Sequence, residues 1–307
     1  MVQDREFRRI VLGLPYNRPN HGMRLAAEMA RLLQLDLLGL FVEDASLRGL
    51  VALPFVREFQ LLGGGWRPLD IDRLSRDLEI AAKNAEKAFT EAAKTLRTTC
   101  QFEVVRGSMA ETITSISRAD DIVLIVEPLN AAERITPQFI ATLDAAFHSA
   151  AAVLLMPRQI ARQSGAIVAI ATEPNDLSIE VAKSVAAAAK EELVVIESFK
   201  STVSSHTLAK YSASRIQVRR IPAAEHQLAN TSNIGSALSQ VRERLVVITR
   251  SDDYSPLAIA TMRHVPILIV EPMRDTVESN QKNSTSFVKT GNKSIKVSNV
   301  RIENRSR

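Results

Sequence analysis

Thr172, Glu173, Arg250 and Ser251 are the residues of this chain whose types and places could together build a polar site. Thr172 and Glu173 follow the apolar run Ala166 to Ala171, and Arg250 and Ser251 follow the apolar run Leu245 to Thr249. Carboxyl ends of parallel strands are where open α/β sheets hold their ligands. A guanidinium there binds an anion through its own fork of donors and needs no glycine loop. The four residues are therefore expected to line a small polar cleft in the second half of the chain. Glu43, Asp44 and Glu127 also follow apolar runs, and their plain reading is helix capping and solvation. Asp120, Asp121, Asp252 and Asp253 read as turn residues.

No catalytic residue is expected. The strings Gly-x-x-x-x-Gly-Lys, Gly-x-Gly-x-x-Gly, Gly-x-Ser-x-Gly and His-Glu-x-x-His do not occur. Gly63, Gly64 and Gly65 do not stand between a strand and a helix, so they read as a loop. The five histidines (His21, His148, His206, His226 and His264) are far apart and lack ligand spacing, so no metal site is expected. Cys100, the single cysteine, excludes an internal disulfide framework and suits a reducing cytoplasm; it reads as structural.

The formal net charge of +5 is unevenly placed. From Asp275 onward seven Lys or Arg stand against three acids, which accounts for four of the five charges. The folded part is nearly neutral, so nucleic acid is not an expected partner except through the basic tail. No apolar run approaches the roughly 20 residues of a membrane span, and the first residues lack the apolar core of a secretory signal. The expectation is a cytoplasmic protein with no membrane contact.

The elements that must position any site begin with Arg8 to Asp44. An apolar strand (Ile10 to Leu14), a breaker-rich loop, an amphipathic helix (Asn20 to Leu33) and a second apolar strand (Leu37 to Val42) make a parallel β-α-β crossover. An apolar segment follows, at about 45–66, with too many large hydrophobic residues for a solvated loop, so it should pack on this sheet or on a partner subunit. A long helix at about 71–97 carries Leu74, Leu78, Ala81, Ala85, Ala88, Ala92 and Leu96, which read as an ordinary core face. Strands at Phe102 to Val105, Ile122 to Val126 and Ala152 to Met156 alternate with helices at Met109 to Arg118 and Pro137 to Phe147. The pattern then restarts: strands at Ala166, Leu193, Ile216, Leu245 and Pro266 alternate with helical stretches at Leu177, His206, Ser232 and Pro256. Shared element order indicates internal duplication. The first strands stand 157 residues apart (Arg9 and Ala166) and the last 114 apart (Met156 and Val270), so the first copy is the elaborated one. The expected organisation is domain 1 at 1–160, a shorter domain 2 at 161–273, and a basic, disordered tail at 274–307.

Arg9-Ile10-Val11-Leu12 with its helix, the strand Leu38 to Glu43, and the endings Ala150 to Pro157 and His264 to Val270 resemble the universal stress protein family in its tandem, UspA-like form. The resemblance covers about Arg8 to Pro272. It implies an α/β fold of two tandem doubly wound five-stranded parallel sheets, strand order 3-2-1-4-5, Rossmann-like, with any ligand at the switch point between strands one and four. Nucleotide-binding members carry an aspartate just after strand one and a Gly-x-x-Gly-x(9)-Gly-Ser/Thr loop after strand four. Here Pro15 or Tyr16 and Thr172 or Glu173 stand at the aspartate positions, and no glycine lies between Gly107 and Gly165 or between Gly235 and Gly291. Bare backbone amides that would cradle phosphates are therefore missing from both copies. ATP or AMP is disfavoured and no cofactor is expected. The expected function is a non-enzymatic stress-response module with degenerate nucleotide sites, self-associating through sheet edges or the Ala45 to Leu62 segment, with an unidentified protein partner. Two other readings stand beside it: an ATP-binding or weakly ATP-hydrolysing member using a non-standard pocket, and a subunit of a nucleotide- or flavin-binding assembly completed by a second chain.

Overall fold

Runs such as Ile10-Val11-Leu12 and Ile122-Val123-Leu124-Ile125 have no polar face, so as strands they must be covered on both sides. The structure, a computed structural model, satisfies this with a central sheet and a helical layer on each face. It describes residues 7–15, 22–45, 49–50, 53, 55–59, 64–68, 70–128, 130–160, 162–173, 175–197, 218–222, 231–251 and 255–271. The helical stretch expected at His206 to Ala213, the Asp252-Asp253 pair, Tyr16, and the tail at 274–307 lie outside the described residues.

In the first half the strands are β1 (Arg9–Pro15), β2 (Asp36–Asp44), β5 (Cys100–Gly107), β6 (Asp121–Val126) and β7 (Ala152–Met156). Those of the second are β8 (Ala166–Ala171), β9 (Leu193–Glu197), β10 (Val218–Pro222), β11 (Glu243–Thr249) and β12 (Ile267–Val270). Each half has the expected 3-2-1-4-5 order. The two sheets are not separate, however. Fifth strands β7 and β12 pair antiparallel, Leu155 opposite Ile267 and Ala152 opposite Val270, so one ten-stranded sheet runs through both halves. The core is continuous across the expected boundary at residue 160 as well.

One face is covered by α1 (Met23–Leu33), α2 (Ile71–Thr95) and α6 (Leu177–Ala189), over alternate strand residues such as Leu12, Leu124, Ala169 and Val247. Its opposite face is covered by α3 (Met109–Ile116), α5 (Pro137–Ser149), α7 (Thr231–Leu238) and α8 (Pro256–Arg263), over Val11, Val123, Val168 and Val246. Successive strand residues therefore serve opposite layers. Along α2 the fully buried stripe is Leu78, Ala82, Ala85, Phe89 and Ala93, with the expected alanines at 81, 88 and 92 on its flank. A small hairpin, β3 (Arg57–Phe59) and β4 (Trp66–Pro68), precedes α2 and was not legible in the sequence. In its vicinity Phe55 and Trp66 are 75% and 66% exposed.

Asp121 is not a solvated turn residue. It opens β6 with no exposed surface, accepting from Arg9 Nε and Nη2 at 2.9 and 3.0 Å and from the Arg118 amide at 2.9 Å. Glu243 holds the equivalent place at the start of β11, likewise fully buried. Arg263 Nε donates to it at 2.8 Å, and Arg162 Nη1 stands 3.0 Å away without hydrogen-bond alignment. Removing one partner of such a buried pair strands the other's charge. Asp121→Ala is expected to lower unfolding free energy by about 3–5 kcal/mol, read by urea denaturation; a loss within experimental error of zero would show that Arg9 finds other compensation.

Candidate functional site

At the switch point of each half, the chain leaves strands one and four towards helices on opposite faces, which opens a crevice at their carboxyl ends. The two crevices are built differently.

In the second half the crevice is occupied by a side chain of the protein itself. Asp176 caps α6, as an aspartate directly before an apolar helical run should, and donates nothing while accepting from the Ser178 amide at 2.9 Å. Its other oxygen accepts from the Thr172 amide at 2.8 Å and from Thr172 Oγ1 at 3.0 Å, at the end of β8. The Thr249 hydroxyl, at the end of β11, donates to the first oxygen, Oδ1, beside the Ser178 amide. One carboxylate thus bridges the ends of both switch-point strands, with only 2% of the residue exposed. Burial alone would raise its pKa, but donors on Thr249, Thr172 and Ser178 hold it below the ordinary aspartate value.

Of the four residues expected to line a cleft here, Thr172 belongs to this network, and Glu173 is exposed beside it. Arg250 faces elsewhere: Nη1 donates to Glu271 at 3.1 Å and its guanidinium lies 4.3 Å from the centroid of the Phe147 ring, which comes from α5 of the other half. Ser251 follows it, partly exposed.

Glu127 is the counterpart of Arg250 in the first half, since the Glu127 amide donates to Met156 O as the Arg250 amide donates to Val270 O. It neither caps a helix nor faces solvent. Its carboxylate, in a residue 8% exposed, accepts from Thr261 Oγ1 of α8 at 2.6 Å and from Arg134. Glu43 is likewise buried, at 7% exposure, and paired to Arg106 at 3.0 Å rather than capping or solvated. In the sequence these carboxylates look like surface ones, because Arg106 and Thr261, which other elements bring to Glu43 and Glu127, lie tens of residues away.

The first half holds an apolar cleft of about 360 Å³ at its switch point, between α3 and α5. Its floor is Gly13, Leu124, Ile125 and Val126 of β1 and β6; its walls are Met109 and Ile113 of α3, and Phe139 and Thr142 of α5. Both walls are fixed at their starts. Ser108 and Glu111 form a reciprocal capping box on α3, and Thr136 caps α5 through the Phe139 amide. At Gly13 a Cβ would stand 2.4 Å from Met109 Sδ, so a side chain there would push the flexible end of Met109 aside. Gly22, at φ +79°, starts α1 against Val126, where a Cβ would come 2.6 Å from the valine. The chain after β6 carries a one-turn helix, α4 (Ala131–Arg134), in a stretch without glycine. Among the described residues no group of three His, Cys, Asp or Glu could hold a metal ion, and no helix is long and apolar enough to cross a membrane.

No protein-family model matches the sequence, and no curated protein matches it. Among solved structures, a universal stress protein from Archaeoglobus fulgidus DSM 4304 is similar, with a TM-score of 0.58 at 12% identity, covering 85% of this chain and 96% of that one. A functionally unknown protein from Pseudomonas aeruginosa PAO1 aligns over 87% of this chain and 93% of its own at 16% identity, with a TM-score of 0.46. The first likeness shows that the fold is that of a universal stress protein.

Since its folded pKa is lowered, Asp176 contributes stability that is present above the unfolded value of about 3.9 and is lost as pH falls through the folded value. The wild-type chain is therefore expected to lose urea stability more steeply below about pH 4 than Asp176→Asn does. Parallel stability curves for the two would contradict this account of the crevice.

Proposed function

We propose that this chain is a non-enzymatic binding or regulatory module of the universal stress protein type, working in the cytoplasm, in which neither switch point takes a nucleotide. The observation that carries the reading is the buried Asp176 carboxylate bridging Thr172 and Thr249. A phosphate brought to that crevice would meet a fixed negative charge, and the donors it needs are already engaged. In the first half the support comes from chemistry of the lining: glycine amides are lacking after β6, and the cleft at the switch point is walled mainly by apolar side chains. The same reading has the module associate with a second copy through the exposed apolar residues before α2, Phe55, Phe59 and Trp66.

Two measurements test it. Denaturing freshly purified protein and identifying what is released by liquid chromatography with mass spectrometry should yield no ATP, ADP or AMP; stoichiometric adenine nucleotide would overturn the reading. Light scattering should report a dimer that Phe55→Asp combined with Trp66→Asp turns into a monomer, and a monomeric wild type would remove the association.

A further inference from the structure

We propose that the apolar cleft of the first half binds a monocarboxylic acid with an apolar body of about ten carbons, its carboxylate held by Arg158. This rests on the reading that the cleft does not serve a nucleotide. Its volume of about 360 Å³ lies at the small end of ligand sites, enough for a medium-chain acid. The interior, Gly13, Met109, Ile113, Ile125 and Phe139, offers an alkyl or aryl body an apolar surface, with the thioether of Met109 able to adjust its shape.

Charge at the mouth selects the head group. Of the two acids at the mouth, Glu127 is neutralised by Arg134 and bound by Thr261, whereas Glu133 accepts from the neutral Asn130 amide at 3.3 Å, so a bound carboxylate has to seat on the Arg158 side of the mouth, away from Glu133. Arg158, which also lines the cleft, spends only Nε, donating to Glu127 O at 3.2 Å. That bond orients the guanidinium, while its Nη atoms hold no partner among the described residues. An apolar chamber with one oriented arginine at its entrance matches a carboxylate on an apolar body: the body leaves water, and the head gains charge-assisted hydrogen bonds. A neutral alcohol of the same length would forgo the second contribution.

The test is calorimetric titration of the full chain with decanoate below its micelle concentration, with decanol, and with ATP. Decanoate is expected to bind one per chain. Arg158→Gln should weaken decanoate by about tenfold or more while barely changing decanol, and Thr142→Trp, which fills the cleft, should abolish both. Each variant's thermal melt establishes that it is folded. Absence of decanoate binding to the wild type, or binding that survives both variants, would overturn the proposal. ATP separates the two levels: ATP that competes with decanoate sinks the non-nucleotide reading and this inference together, whereas failure of decanoate without any ATP binding sinks this inference alone.

Discussion

The antiparallel pairing of β7 with β12 is the constraint on which the rest of the molecule depends. Each five-stranded half would otherwise end on an exposed apolar strand, Ala152 to Met156 in one and Ile267 to Val270 in the other, with unpaired backbone groups along it. Pairing the two edges satisfies those groups within the chain and makes one core of two. Because the halves meet with their strands reversed, their carboxyl ends point in opposite directions. The two crevices consequently open on opposite edges of the sheet, and neither can help to build the other.

Side chains along the seam follow from the same relation. Glu127 meets Thr261, and Arg250 meets Phe147, at equivalent places on either side. Each contact joins the residue after strand four of one half to the last helix of the other. Both positions lie at the rim of a switch point, so residues that would be free to meet a ligand in an isolated half are drawn into holding the halves together. A buried acid at the start of each fourth strand, Asp121 or Glu243, anchors the opposite end with arginines. Polar groups in this core are few, and the described ones with the deepest burial are paired.

Much of the architecture was legible because it rests on local chemistry. Unbroken apolar runs marked strands covered on both faces, alanine-rich periodic stretches marked helices lying close to a sheet, and the repetition of their order marked the duplication. The union of the sheets was not legible, since Ala152 to Met156 has the same composition whether its outer neighbour is a helix, a second subunit or β12. The site was readable only in outline. Strand ends pointed to Thr172 and Arg250, but the residue that organises the second crevice, Asp176, was not singled out, since an aspartate just before an apolar helical run has the type and place of any helix cap. Arg158 stood in a connector with no pattern around it, and only the fold brings it to the cleft. Asp121 reads as a turn residue and Glu127 as a capping or solvated one because Arg9 and Thr261, the partners that other elements bring to them, lie more than a hundred residues away in sequence.

Fusion of the two copies into one chain also changes what substitution can do. In a symmetric dimer of single-domain subunits every replacement appears twice, so both seam contacts and both crevices must share one chemistry. Here an acid and an arginine occupy equivalent positions, and one crevice is closed by a bound carboxylate while the other remains an open apolar chamber. Covalent linkage has released each copy from the obligation to be its partner's twin, leaving one half free to hold the scaffold while the other is tuned.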